Sequence, residues 1–395
     1  MNPELALLQP YPFEKIHRLL DGLAPANKPA ISLSVGEPKH KAPAVALEAL
    51  VANLNTLEQY PSTRGTDELR NAIASWLIKR YQLSEPEQLA AEHILPVNGT
   101  RESLFAIAQC LLDRSNSKRK VLVPNPFYQI YEGATLLAGS DPDFYHIDSN
   151  ADQNLADISD TQWQQAQIIY VCNPGNPTGS VLSENGFSLL IEKSNQFDFT
   201  IISDECYSEI YRDTPPCGLL EVAHAMGNTS YQRCLVFHSL SKRSNLPGLR
   251  SGFVAGDAAL IKQFFQYRTY HGCTMPGPVQ QASIAAWKDE QHVIENRIAY
   301  NEKYRAILPI LKPVMNVEQP AAGFYLWPKL PISDEALTQA LYSEQNVAIV
   351  PGSYLARVAN GNNPGTNHTR LALVAPLDQC IEAAERIAQC LNKLT

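Results

Sequence analysis

Residues 167–179 read QIIYVCNPGNPTG, an apolar run that ends in a loop of asparagine, proline and glycine. Four similar apolar runs lie nearby: KVLVP at 120–124, FTIIS at 199–203, RCLVFHS at 233–239 and RSGFVAG at 250–256. Segments of helical length and spacing lie between runs, such as ENGFSLLIEKSNQF at 184–197. Strands of continuous rather than alternating apolar character are typical of parallel sheets buried on both faces. The pattern therefore predicts an α/β fold, in which a mostly parallel sheet is covered by helices.

The character of the sequence changes after about residue 280. A long helix is predicted from Pro278 through Trp287 toward Arg305, and the runs AAGFYLW, VAIVP and TRLALV are predicted strands. DQCIEAAERIAQCLNKL has the spacing of an amphipathic helix, as do residues 12–22, and AISLSV is a further predicted strand. We predict a large domain at 40–285 and a smaller α+β domain formed by 1–39 and 286–395.

The composition narrows the class of protein. The 395 residues are 45% hydrophobic and 18% charged, which is typical of a globular chain with a large core. The formal net charge of −8 disfavours binding to nucleic acid or to an anionic membrane. The N-terminal stretch is unlike a signal peptide and no apolar run reaches transmembrane length, so we expect a cytoplasmic protein. The eight cysteines and nine histidines lack metal-ligand spacing, and we predict reduced thiols and no metal site.

Polar side chains follow the predicted strands, and ligands of an open parallel sheet bind beyond the carboxyl ends of its strands. Asn176, Asp204, Tyr207 and Lys242 follow three of the runs, and Tyr128 follows a fourth. A lysine at the end of a buried strand has a lowered pKa, so its neutral amine can attack a carbonyl. A carboxylate can hold a protonated ring nitrogen, and a phenol and an amide can bind a phenolate oxygen. These are the requirements of pyridoxal phosphate.

A phosphate group could bind where Asn98-Gly99-Thr100-Arg101 opens a predicted helix, because the first turn of a helix presents free N–H groups. Each feature alone has a simpler interpretation. Lys242 could be a solvated surface residue, Asp204 a helix cap, Asn98-Gly99 an ordinary turn and NPGNPTG a proline-rich loop. The combination at four strand ends favours the cofactor site.

The segments NPGNPTG, SDECY and SLSKRSNLPGLRSG, in this order, resemble the class I/II, fold-type I pyridoxal-phosphate aminotransferases, and the resemblance extends over essentially the whole chain. It implies that Lys242 forms the Schiff base with the cofactor and shuttles the proton, and that Asp204 pairs with the pyridine nitrogen. It implies that Asn176 and Tyr207 hold the phenolic oxygen and that Tyr128 stacks on the ring. The phosphate would be held by Gly99, Thr100, Arg101, Ser239 and Arg250.

Three further residues are indicated by the resemblance. Arg370, in TRLALV, would clamp the α-carboxylate of the substrate beside Asn176, and Gly36, in SVGEP, would border the substrate. Tyr60, in YPSTRG, would reach the phosphate of the neighbouring subunit, which implies a homodimer. Without the resemblance, Arg370 and Arg250 could pair with structural acids, and Gly36 and Tyr60 could be turn and packing residues.

The segments GEPKHKAP at 36–43, LQPYPFEKIHRLL at 8–20 and KRSNLPG after Ser241 are most similar to bacterial succinyldiaminopimelate aminotransferases. This similarity implies transfer of an amino group from glutamate to N-succinyl-2-amino-6-oxopimelate, a step of lysine and diaminopimelate biosynthesis. Aminotransferases for aspartate, aromatic or glutamine-type substrates and a β-lyase stay open as alternatives. Arg243 could bind substrate or form an internal salt bridge. The acidic charge disfavours a DNA-binding regulator, and the absence of a GxGxxG segment disfavours a nicotinamide dehydrogenase.

Overall fold

The protein is described by a computed structural model that covers residues 2–84 and 86–394. Its α-helices are α1 Pro12–Leu19, α2 Ala44–Ala52, α3 Asp67–Tyr81, α4 Pro86–Glu92, α5 Thr100–Leu111, α6 Ile130–Leu137, α7 Ala151–Ala156, α8 Asp160–Gln165, α9 Glu184–Phe197, α10 Leu219–Ala225, α11 Leu240–Arg243, α12 Ala258–His271, α13 Gly277–Lys288, α14 Gln291–Leu311, α15 Asp334–Ala340 and α16 Leu377–Leu394. Its strands are β1 Ile31–Ser32, β2 Ile94–Val97, β3 Lys120–Asn125, β4 Asp141–His146, β5 Ala166–Cys172, β6 Thr200–Asp204, β7 Cys234–Ser239, β8 Gly252–Gly256, β9 Tyr325–Leu326, β10 Val347–Ala348, β11 Val350–Pro351 and β12 Thr369–Ala372.

The central sheet has the strand order β2-β8-β7-β6-β5-β3-β4. Strands β4, β3, β5, β6 and β7 are parallel, and β8 is antiparallel to both of its neighbours. The predicted α/β fold with a mostly parallel sheet is confirmed, and all five predicted apolar runs form its strands. Strands β2 and β4 were not predicted from the sequence, because both contain a proline and β4 is partly exposed.

Helices cover both faces of this sheet, as the continuous apolar character of the strands predicts. Leu122, Ile169 and Ile201 pack on one face in a cluster with α3, α9 and α13. Their chain neighbours Val121 and Ile202 point to the other face, where α5, α6 and α12 pack. Because successive side chains of a strand alternate between faces, a strand covered on both sides must be apolar at every position. The inner strands of the sheet are therefore buried on both faces, whereas the edge strand β4 is partly exposed.

Helix α9 coincides with the predicted helix at 184–197 and shows how local signals set its bounds. The Ser183 Oγ accepts the backbone N–H of Asn185 at 3.1 Å, which caps the first turn. The helix ends where Asp198 takes a left-handed φ of 54°. Phe187 and Leu190, on one face of the helix, are buried against the sheet. Capping and amphipathic spacing thus agree in placing this helix.

The remaining strands form two small sheets, one of β11-β12-β9 and one of β1 with β10. The strands predicted in AAGFYLW, VAIVP and TRLALV are present but shorter, and VAIVP contributes to both sheets. The predicted continuous helix from Pro278 toward Arg305 is wrong. The chain leaves the helical conformation at Asp289 and resumes it as α14, because Asp289 is extended with ψ of 119°. The predicted domain boundaries at 40–285 stay a prediction. No helix within residues 2–84 and 86–394 is long and apolar enough to cross a membrane.

Candidate active site

The carboxyl ends of the parallel strands open into a cleft of about 540 Å³. The registers of the strands bring their ends together, since Cys172 pairs with Asp204 and Asp204 with Phe237. Most of the predicted site residues line this cleft: Gly36, Thr100, Arg101, Tyr128, Asn176, Asp204, Tyr207, Ser239, Lys242, Arg250 and Arg370. The structure therefore brings together residues as far apart in the sequence as Gly36 and Arg370.

Lys242 lies in the short helix α11, directly after β7. Its Nζ donates a hydrogen bond to the backbone oxygen of Gly36 and lies 5.5 Å from the centre of the Phe324 ring. Burial lowers the pKa of this amine to about 8, and the nearby cations Arg370 and Arg101 act in the same direction. A larger fraction of the amine is therefore neutral near pH 7 than for an exposed lysine, as nucleophilic attack on a carbonyl requires.

Asp204 is the last residue of β6 and is only 4% exposed. Its carboxylate accepts a hydrogen bond of 2.8 Å from the Tyr131 hydroxyl and one of 3.3 Å from the Cys206 backbone N–H. Burial raises the pKa of Asp204, and the hydrogen bonds from Cys206 and Tyr131 oppose that rise. A buried carboxylate without an ion pair to a nearby arginine or lysine is costly, and a protonated ring nitrogen would offset that cost.

Arg370 in β12 is 7% exposed and meets no carboxylate among the described residues. Its Nη2 donates to the Ser34 backbone oxygen at 2.7 Å and its Nη1 to Asn176 Oδ1 at 3.2 Å, while its guanidinium stacks over Tyr325 at 4.7 Å. Its buried Nε has no hydrogen-bond partner. The interpretation of Arg370 as the partner of a structural acid is therefore not supported, and the group is available to an anionic ligand.

Two tyrosines, Tyr207 and Tyr325, line the cleft together with Arg370. The hydroxyls of Tyr207 and Tyr325 lie 3.0 Å apart, and both rings are buried. Burial raises the pKa of Tyr207 well above its usual value, so this residue is a neutral hydroxyl that can donate a hydrogen bond. A Cβ added at Gly36 would lie 2.0 Å from the Tyr325 hydroxyl. Glycine is thus required at position 36 because the backbone passes directly over that ring.

The opposite side of the cleft is the start of α5. Gly99 has a φ of +87°, and a Cβ there would lie 2.5 Å from Nη2 of Arg250. Thr100 Oγ1 lies 3.0 Å from the Cys206 sulfur, and Arg101 Nε donates to the Tyr128 hydroxyl at 2.6 Å. The first N–H groups of a helix have no intrahelical partner, and two arginines lie beside them. This is an anion-binding arrangement.

Ser239 lies beneath the same corner of the cleft and is buried. Its Oγ accepts the backbone N–H of Ser241 at 3.0 Å, which caps α11, and lies 2.8 Å from the Ser241 hydroxyl. Ser239 is the last residue of β7, and Lys242 follows three residues later in α11. Ser239 therefore connects the anion-binding corner to the helix of Lys242.

Two residues stand apart from the cleft of their own chain. Tyr60 does not line it and is fully exposed, at 103% of its reference area. Arg243 is buried outside it, where it pairs with Glu290 and lies 4.8 Å from the Trp287 ring. The internal salt bridge is therefore the arrangement that Arg243 adopts, and the alternative of a substrate ligand is not supported.

Tyr131 and Tyr325 are site residues that were not predicted from the sequence. Tyr131 lies within α6, where nothing in the spacing separates it from a core aromatic, and Tyr325 lies within the run AAGFYLW. Tyr11 and Phe13, near the N-terminus, were not predicted either; they line the mouth of the cleft and are 37% and 39% exposed. The sequence feature that could have indicated these two residues is the pair of aromatic residues at the start of α1.

A family described as aminotransferase class I and II matches residues 28–387. The LL-diaminopimelate aminotransferase of Maridesulfovibrio salexigens is 30% identical over 396 residues, which is 98% of this chain and 97% of that protein. A solved aminotransferase from Neisseria meningitidis Z2491 is 47% identical with a TM-score of 0.93, covering 98% of this chain and 99% of that one. The aminotransferase AspB of Helicobacter pylori 26695 is 33% identical with a TM-score of 0.88, covering 97% and 98%.

Proposed function

The chain belongs to the class I and II aminotransferases, which are pyridoxal-phosphate-dependent transaminases, and on this premise we propose that it transfers an amino group between glutamate and N-succinyl-2-amino-6-oxopimelate. The observation that carries this proposal is the buried guanidinium of Arg370, which has an unpartnered N–H and lies in the same cleft as the amine of Lys242. An amine that can react with a carbonyl and a guanidinium that can hold a carboxylate are what an amino acid and a 2-oxo acid require.

The residues of the cleft fit the cofactor. The amine of Lys242 has a pKa of about 8, and a Cβ at Gly99 would fill the corner beside Arg250. Asp204 is a buried carboxylate that forms no ion pair with a lysine or arginine among the described residues. Pyridoxal phosphate, when bound, supplies an aldehyde for the amine and a ring that accepts electrons. We propose that Gly99, Thr100, Arg101, Ser239 and Arg250 hold its phosphate and that Tyr128 stacks on its ring.

The chain's own groups then have separate tasks in the proposed mechanism. Asp204 would keep a proton on the ring nitrogen, and the Tyr207 hydroxyl and Asn176 amide would hold the phenolic oxygen. Arg370 would fix the α-carboxylate of the substrate, which orients its Cα toward Lys242. Lys242 Nζ would remove the proton at that Cα, since its lowered pKa leaves roughly a tenth of the amine neutral at pH 7.

The proposed substrate rests on two kinds of support. Relatives named LL-diaminopimelate aminotransferase match nearly the whole chain at 27% to 30% identity, which favours a diaminopimelate skeleton. The succinyl group is supported by the similarity of GEPKHKAP and LQPYPFEKIHRLL to succinyldiaminopimelate aminotransferases. Unsubstituted LL-diaminopimelate is the second candidate, because the names of those relatives favour it.

A panel of amino donors and oxo acceptors tests the proposal. With the purified holoenzyme, we expect kcat/KM for N-succinyl-LL-2,6-diaminopimelate to exceed that for LL-2,6-diaminopimelate by about 100-fold or more, because a site built for one polar substituent discriminates strongly against its absence. Higher kcat/KM for the unsubstituted compound, for aspartate or for an aromatic amino acid would reject the succinyl substrate. Release of ammonia without transfer would indicate a β-lyase.

We also propose a cytoplasmic homodimer in which Tyr60 reaches the phosphate of the partner subunit. Tyr60 is fully exposed in its own chain and follows the exposed apolar side chains Val51, Leu54 and Leu57. Such a patch favours an interface with another chain. All eight cysteines are free, which supports a reducing compartment. Light scattering should give the mass of a dimer, and a fully active monomer would refute the shared site.

A further inference from the structure

The backbone around Lys242 has carbonyl groups that its own helix does not satisfy with hydrogen bonds. Helix α11 has only four residues, and its closing hydrogen bonds run from the N–H groups of Ser244 and Leu246 to the Leu240 oxygen. The carbonyl groups of Lys242 and Arg243 are then left without a partner within the helix. Immediately afterwards, Asn245 takes a left-handed φ of 52°. The segment that carries the amine is thus too short to hold itself in place.

Asn296, on the long helix α14, supplies the missing donors. Its Nδ2 donates to the backbone oxygens of Lys242 at 3.2 Å and Arg243 at 3.3 Å, and the residue is 5% exposed. One side-chain amide therefore satisfies two carbonyls at the end of α11. These hydrogen bonds stabilise the end of α11, because a buried carbonyl without a hydrogen bond is destabilising.

The same amide is also bound on its oxygen side. Asn296 Oδ1 lies 2.7 Å from Nδ1 of His40 and accepts from Asn245 Nδ2 at 3.1 Å. The two carbonyl contacts require the NH₂ group of Asn296 to face α11, so its oxygen must face His40. His40 Nδ1 must then carry the hydrogen and donate. Burial lowers the pKa of His40, which keeps the ring neutral, and the ring packs against Tyr300 with the ring centres 4.6 Å apart and the planes tilted by 43°.

His40 belongs to the segment that also touches the amine of Lys242. Gly36, four residues earlier, accepts the hydrogen bond from Lys242 Nζ, and Gly36 and Glu37 line the cleft. Asn296 thus connects the backbone of Lys242 to the chain segment that receives the end of its side chain. We propose that Asn296 and His40 are positioning residues, which fix the Lys242 amine relative to the Gly36 carbonyl and keep water away from it. This inference rests on the proposed role of Lys242.

The test measures the rate at which the cofactor-free chain forms a bond with added pyridoxal phosphate. The reaction is monitored by its visible absorbance at a series of pH values. In the parent protein, the rate should rise with a midpoint near pH 8, the pKa of Lys242. We expect Asn296→Ala to slow bond formation by about tenfold and to move the midpoint upward, because a loosened helix end lets water reach the amine. Asn301→Ala is the matched control, since Asn301 lies on the same helix and donates to the Tyr211 backbone oxygen at 3.1 Å.

A pair of variants at His40 tests the hydrogen bond itself. His40→Phe keeps a ring against Tyr300 and removes the N–H, so it should change rate and midpoint in the same direction as Asn296→Ala. His40→Asn places an amide N–H where Nδ1 was and should restore the parent values. Because His40 is partly exposed, this pair decides the question even if Asn296→Ala does not fold.

The outcomes separate this inference from the proposed function. A parent protein that develops no absorbance band, or a band that persists in Lys242→Met, would reject the cofactor site itself. Parent rate and midpoint in folded Asn296→Ala and His40→Phe, or a His40→Asn variant that behaves like His40→Phe, would overturn only the positioning role. Equal effects of Asn301→Ala would also overturn it.

Discussion

Replacing Lys242 by methionine should stabilise the cofactor-free protein. The amine lies in the cleft with no carboxylate of residues 2–84 or 86–394 bonded to it, and burial lowers its pKa from 10.5 to about 8. The Gly36 carbonyl and the Phe324 ring offset only part of the lost hydration. Methionine has a similar length and keeps the packing of the methylene groups, but it has no charge to desolvate.

The magnitude follows from the two pKa values. The unfolded chain binds the lysine proton up to about pH 10.5 and the folded chain only up to about pH 8. Between these values the unfolded state holds more protons, so the stability of the parent rises with pH in this window. The destabilisation by the charged amine is about 3 kcal/mol at pH 7, where it is complete, and falls to about 1.4 kcal/mol at pH 9.5.

Urea unfolding of the cofactor-free proteins at these two pH values measures this difference. Lys242→Met should exceed the parent in free energy of unfolding by up to about 3 kcal/mol at pH 7 and by about half of that at pH 9.5. Lys288→Met is the matched control, because Lys288 is exposed, and should stay within about 0.5 kcal/mol of the parent at both pH values. A Lys242→Met variant no more stable than the parent at pH 7, or a difference independent of pH, would refute the reasoning.

Further predictions concern the other groups of the cleft. Asp204→Asn should keep the fold and lower kcat with glutamate by at least about 100-fold, measured by stopped-flow half-reactions; near-normal turnover would exclude the ring-nitrogen role. Tyr131→Phe should lower kcat by roughly 10- to 100-fold, since the hydrogen bond to the Asp204 carboxylate is lost. Tyr145→Phe is the control and should leave kcat unchanged, because the buried hydroxyl that it removes is bonded to a backbone oxygen at 2.8 Å. Arg370→Lys should raise KM for glutamate by about tenfold or more, and an unchanged KM would contradict the clamp. Gly99→Ala should weaken pyridoxal phosphate binding by about tenfold in a titration of the cofactor-free protein, because its φ is +87° and the added methyl meets Arg250.

The sequence could predict the part of the site that depends on strand ends. Asp204 ends a strand of continuous apolar character, and Asn176 and Lys242 follow two others. Parallel strands bring their ends to one edge of the sheet. The position of Asp204 beside the cleft therefore follows from chain topology alone. Arg370 could be recognised in the sequence because it is a charged residue within an apolar strand. A buried guanidinium requires an anionic or hydrogen-bonding partner, so its presence there indicates a binding site or an ion pair.

The sequence could not predict contacts that depend on packing between distant elements. Asn296 lies on a helix that was predicted as a continuation of another, and only the break at Asp289 and the packing of α14 bring its amide to Lys242. Tyr131 has the spacing of a core aromatic, and its hydroxyl acquires a role only because α6 lies across the end of β6. Hydrophobic periodicity reports which face of a helix is buried and carries no information about the polar atom it meets.

The charges of the cleft bear on the choice of substrate. Among the described residues that line it, the cations are Arg101, Lys242, Arg250 and Arg370, although the whole chain has a net charge of −8. If Arg101 and Arg250 hold the cofactor phosphate and Lys242 reacts as a neutral amine, Arg370 alone is left for a carboxylate. A succinylated substrate has several carboxylates, so the others must meet neutral donors or side chains of the partner subunit. Selectivity for this substrate would then depend on assembly of the proposed dimer, whereas attachment of the cofactor at Lys242 would depend chiefly on groups within one chain.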